Sequence, residues 1–142
     1  MTKKITWMFM LLFGISSVIV SCKKKEKEKT YSNSDYVGTW NATTKCSSSM
    51  SYKTTITTSG SSGIVLSNFH APASTDGYTL NASVSDKTIT IASQTITNSQ
   101  GGNKLTFSGS GTLSPPSSLS ISYTVKDPIS GATLSCTATC TK

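Results

Sequence analysis

Tyr78-Thr79-Leu80-Asn81-Ala82-Ser83-Val84 is the stretch that decides the fold. Tyr78, Leu80, Ala82 and Val84 are apolar, and every residue between them is polar. A period of two belongs to a strand with one face on a core and the other in water. Ser85-Asp86-Lys87 follows with turn chemistry, and then Ile89 and Ile91 alternate with Thr88 and Thr90. Strand, tight turn and strand make a hairpin.

The same period runs outward in both directions. Trp40, Ala42 and Cys46 share one face, as do Met50, Tyr52 and Ile56, and Ile64-Val65-Leu66 is a short apolar run. Further on, Leu105, Phe107, Gly109 and Leu113 keep one parity, and so do Leu119, Ile121, Tyr123 and Val125. Ala132, Leu134, Cys136, Ala138 and Cys140 come last. Turn signals separate these runs, among them Ser59 to Gly63, Thr75-Asp76-Gly77, Gln100 to Asn103, Ser114 to Ser117 and Asp127 to Gly131. Thr on the wet face suits a pleated surface. The pattern predicts an all-β domain over 36–142: an antiparallel up-and-down meander of about eight strands, with no helical period. Closure into a small barrel removes every sheet edge, whereas a two-sheet β-sandwich, the alternative, only shortens them. The barrel is therefore preferred.

Before the meander the chain is organised differently. A short positive start is followed by an apolar run from Ile5 to Val20, too short for a membrane span of about 20 residues. Ile19-Val20-Ser21-Cys22 ends it and resembles the lipobox of bacterial lipoproteins. The resemblance implies a signal peptide over 1–21 and lipidation at Cys22. Residues 22–35, opening with Lys23 to Lys29 (KKKEKEK), read as a charged tether. No Asp directly follows Cys22, so the inner-membrane retention signal known from enterobacteria is absent. The expected location is the bacterial outer membrane, through the lipid anchor, with the face undetermined.

Tyr36-Val37-Gly38-Thr39-Trp40 resembles the Gly-x-Trp opening of lipocalin-like barrels. With a strand meander on a lipid anchor, the chain is similar to the small lipocalin-like, calycin-type lipoproteins of the Bacteroidota. The resemblance implies that Trp40 closes the barrel bottom and that the interior holds a small apolar ligand. Lipocalins usually lay an Arg over that Trp, and this chain contains no Arg.

Charge and composition exclude several functions. Seven of the 13 Lys precede residue 31; the rest of the chain carries six Lys against four Asp. So weakly charged a domain, without Arg for bidentate phosphate contacts, is not a nucleic-acid binder. His70 is the only histidine, and it reads as an exposed loop residue. With no Gly-x-Ser-x-Gly elbow and no local Cys, Asp or Glu cluster near His70, neither a hydrolase triad nor a zinc site is expected. Asp76, Asp86 and Asp127 fall in turns. Tyr52, Tyr78 and Tyr123 fall on the apolar faces, as core or as pocket lining. The chain is read as a non-enzyme with no cofactor and no metal. Two functions stay open: a module binding a small apolar ligand, or a structural or protein-interaction module with a side-chain-filled interior.

Three cysteines follow Cys22, an odd number in an oxidising compartment. In a closed up-and-down barrel the first strand runs antiparallel to the last. A register with Cys46 opposite Cys136 puts Ala42 opposite Cys140 and Trp40 opposite Lys142, using both strands fully. A Cys46–Cys136 disulfide is therefore expected, with Cys140 free.

Overall fold

The computed structural model describes residues 28–71 and 77–142. The expected signal peptide over 1–21, Cys22 and the expected tether as far as residue 27 lie outside the described residues. Eight strands follow in chain order: β1 Gly38–Lys45, β2 Ser49–Ser59, β3 Gly63–Phe69, β4 Tyr78–Ser85, β5 Thr88–Thr97, β6 Lys104–Ser114, β7 Ser118–Lys126 and β8 Thr133–Thr141. Each pairs antiparallel with the next, and β8 returns to β1, so the sheet is a closed up-and-down barrel and not a sandwich.

Alternation sorts the side chains. Trp40, Ala42 and Thr44 of β1, Tyr52 and Ile56 of β2, Leu119, Ile121, Tyr123 and Val125 of β7, and Cys136, Ala138 and Cys140 of β8 are buried. The intervening Ser, Thr, Asn and Lys face out. One row of outward residues crosses six strands through Thr88, Thr112, Ser120, Thr139, Thr43 and Ser51. A polar outside around an apolar inside is the reverse of a membrane-spanning barrel. On β8 the parity holds but burial does not begin until Cys136. Leu134 was expected inward, yet it is 45% exposed. It sits at the strand's start, past Thr137, where the pairing of β8 with β1 ends; Ala132 is exposed as well.

Two irregularities shape the wall. Between Leu66 and Phe69 the β3–β4 register shifts, with Asn68 in the left-handed region at φ 57°. Between Ile91 and Gln94 the β5–β6 register shifts too. There the Gln94 side chain stands in for a ladder partner on β4: its Oε1 accepts from Asn81 N at 3.0 Å and its Nε2 donates to Asn81 O at 2.7 Å. Gly109 and Gly111 let β6 press against β7; a Cβ at Gly109 would lie 2.3 Å from Ser122 O.

One end of the barrel is sealed by the segment before β1. A single 3-10 turn, Asn33–Tyr36, carries a capping box in which Asp35 accepts from Ser32 N at 2.8 Å. Asn33 Nδ2 donates to Gly60 O and to Gly63 O, each at 3.1 Å. Tyr36 OH donates to Asp86 O at 3.0 Å, and Tyr31 N to Asp86 Oδ1 at 2.8 Å. The stretch read as tether up to residue 35 thus packs on the barrel from Tyr31 onward. Trp40 is fully buried beneath this cap and donates from its indole N–H to Tyr36 O at 2.8 Å.

Candidate functional site

The chemistry gathers at the opposite end, where β1, β3, β5 and β7 finish. Cys46 and Cys136 are disulfide-bonded across the β1–β8 seam, with Cα atoms 4.4 Å apart. The register beneath them, Ala42 opposite Cys140 and Thr44 opposite Ala138, is the one that uses both strands fully. Cys140 is free and buried, and burial pushes its thiol up to about 12.

His70 is the correction. It was expected on an exposed loop, but it is 9% exposed and turns into the barrel mouth. The cause is local. Asn68 and His70 both take positive φ, 57° and 52°, which breaks the strand's alternation just where β3 ends. Phe69 and His70 are therefore both buried. His70 Nδ1 lies 2.7 Å from Tyr123 OH. Tyr123 OH donates to Thr44 Oγ1 at 3.2 Å, and Thr44 Oγ1 lies 2.9 Å from Tyr52 OH. Desolvation holds the His70 imidazole below its usual range, so it is neutral near pH 7. Desolvation also raises Tyr123 strongly and Tyr52 to about 12, so both phenols stay protonated.

Aromatic rings surround this chain of hydrogen bonds. Phe69 and Tyr123 have centroids 5.0 Å apart, Tyr78 and Phe107 4.8 Å, and His70 stands edge-on to Tyr123 at 5.7 Å. Phe69 and Phe107 are fully buried. Among the described residues every buried side-chain nitrogen and oxygen has a partner. The three tyrosines of the apolar faces are thus core. One surface hollow lies on the wall, lined by Ser108, Ser122, Thr124, Ser135 and Thr137, and another at the barrel's end between the β5–β6 and β7–β8 turns, lined by Thr97, Asn103, Lys104, Leu105, Asp127 and Ile129.

The structure also brings together what the sequence keeps apart. The sulfurs of Cys46 and Cys136 and a ring nitrogen of His70 lie within 4.8 Å of one another. The sequence gives no local cluster around His70, and none was expected to form. Nothing in the spacing of residues 46, 70 and 136 signals it; only the barrel's closure and the bulge at Asn68 do. Asp35, Asp86 and Asp127 sit away from this end or in its turns. Asp127 caps its own turn, accepting from Ile129 N at 2.8 Å and Ser130 Oγ at 2.7 Å.

The fold defines the class: a closed, eight-stranded, antiparallel barrel. No protein-family model matches the chain, and neither does any curated protein. Two solved structures share the fold. A redesigned β-barrel aligns with a TM-score of 0.58 at 16% identity, covering 78% of this chain and 94% of its own. The protein EF1p2_mFAP2b, solved bound to DFHBI, aligns with a TM-score of 0.57 at 17% identity, covering 77% of this chain and 94% of its own.

Proposed function

We propose that the chain is a lipid-anchored lipoprotein of the bacterial outer membrane whose barrel is a structural or protein-interaction module, not an enzyme. The anchor rests on the Ile19-Val20-Ser21-Cys22 junction and on the apolar run before it. Acylation of Cys22 with two or more chains gives stable membrane attachment, at about 0.8 kcal/mol per buried CH₂. The observation that carries the module reading is the filled interior: His70, Phe69, Phe107, Tyr52 and Tyr123 occupy the barrel's mouth and are at most 9% exposed. An eight-stranded barrel is just wide enough for side chains to fill it.

The second reading, a small apolar ligand in the interior, draws support from the aromatic lining and from the ligand in EF1p2_mFAP2b. Titration of the purified barrel with a fluorescent apolar probe separates the two. The module reading expects no saturable signal; saturation at one probe per barrel would replace it with the binding reading. The anchor has its own test. Mass spectrometry of the mature chain should find an acylated N-terminal Cys22, lost in Cys22→Ser. A chain still beginning at Met1, or an unmodified Cys22, overturns it.

A further inference from the structure

Cys46, His70 and Cys136 make a ligand set that the disulfide holds closed. We propose that this end of the barrel is a redox-gated site for a thiophilic divalent cation of the zinc type, formed when the Cys46–Cys136 bridge is reduced. Two thiolates and an imidazole, with the fourth place open to water, are a set that suits zinc. The three ligand atoms already lie within 4.8 Å of one another.

The strands keep the thiols in position without the bond. Adjacent rungs pair Lys45 with Thr137 and Thr44 with Ala138, so the backbone places residues 46 and 136 face to face. Their Cα separation of 4.4 Å is that of a close antiparallel pair, whose Cβ atoms stand side by side. His70 is held from the other side. A hydrogen-bond partner on one ring nitrogen is what orients a metal-ligating imidazole. Tyr123 is that partner at Nδ1, itself held by Thr44. Access is through Cys46, which is only partly buried.

The chemistry balances. Two equivalents of an external thiol become a disulfide, and their two electrons and two protons convert the Cys46–Cys136 bond into two thiols. The cation then displaces both thiol protons as the sulfurs bind it as thiolates. Cys140 lies on the same face of β8 but outside the cluster, so it takes no part.

The test compares the whole mature chain before and after phosphine reduction, titrated with Zn²⁺ or with Co²⁺ as a spectroscopic stand-in. The oxidised chain should bind neither. The reduced chain should bind one equivalent, with a thiolate-to-cobalt charge-transfer band and the visible bands of a tetrahedral site. His70→Ala should weaken zinc binding at least about tenfold, and Tyr123→Phe roughly tenfold, the scale of orienting partners. Cys140→Ala should change nothing. Near-ultraviolet circular dichroism follows the fold throughout. A reduced chain that unfolds but refolds on adding zinc also supports the site. Zinc binding by the oxidised chain overturns the proposal, and so do an unchanged affinity in His70→Ala, loss of binding in Cys140→Ala, and a reduced chain, folded or not, that takes up no metal.

Discussion

Lys142 Nζ stands 4.5 Å over the ring of Trp40, and the same ammonium donates to Val37 O at 2.9 Å. The chain has no Arg, and the cation over this indole is a lysine just past β8. A lysine gives a cation over the indole but not the flat, bidentate stack of a guanidinium. Trp40 itself is fully buried and hydrogen-bonded to Tyr36 O.

Trp40→Ala should cost about 3–5 kcal/mol, as deletion of a large buried aromatic does. Lys142→Ala should cost no more than about 1 kcal/mol, because its cation is exposed. Urea unfolding of the two variants checks the ratio. Equal losses would mean that the cation, not the ring, seals this end.

Non-reducing peptide mapping should recover a Cys46–Cys136 peptide, with alkylation of Cys140 only after unfolding. The bond joins residues 90 apart in sequence. In the chain-entropy model a loop of that length stabilises the fold by about 4–5 kcal/mol. The double variant Cys46→Ala/Cys136→Ala should lose a comparable amount. A Cys46–Cys140 or Cys136–Cys140 peptide would contradict the β1–β8 register.

The barrel should be labile to alkali. Burial raises Tyr36, Tyr52 and Cys140 each to about 12 in the folded chain, from ordinary values of 10, 10 and 9. These groups hold their protons longer when folded, so the unfolded state ionises first and stability falls as pH rises. Their contribution is whole below about pH 9 and is lost between about 9 and 12. Chemical-denaturation midpoints across that range should decline, and Tyr52→Phe with Cys140→Ala should flatten the decline. A midpoint constant up to pH 11 would refute the burial of these groups.

Gly109→Val should destabilise the barrel by about 1–3 kcal/mol or more, the scale of overpacking. Its Cβ would meet Ser122 O at 2.3 Å and Tyr123 Cα at 2.6 Å, backbone atoms that cannot swing aside. Gly60→Ala, with open space around it but φ at 65°, should cost about 1 kcal/mol from backbone strain. A thermal scan showing Gly109→Val as the milder change would overturn the close β6–β7 contact.

The sequence by itself determined the strands, their number and their faces. Alternation such as that of Tyr78 to Val84 is a local property, written into each segment by the pleat. It also carried the β1–β8 register, because Ala42 opposite Cys140 follows from strand lengths once closure is assumed. Only the tertiary structure decided what local pattern cannot encode. Closure itself, against a sandwich, is a matter of how all eight strands twist and meet. Leu134 keeps the inward parity yet stays exposed, because it lies past the end of the β1–β8 pairing and has no β1 residue beside it. His70 reads as a loop residue, and the left-handed turns at Asn68 and His70 swing it inward. Its meeting with Cys46, Cys136 and Tyr123 joins residues just past β1 and β3 with residues inside β8 and β7. Such a cluster has no spacing in sequence, because the barrel assembles it in space.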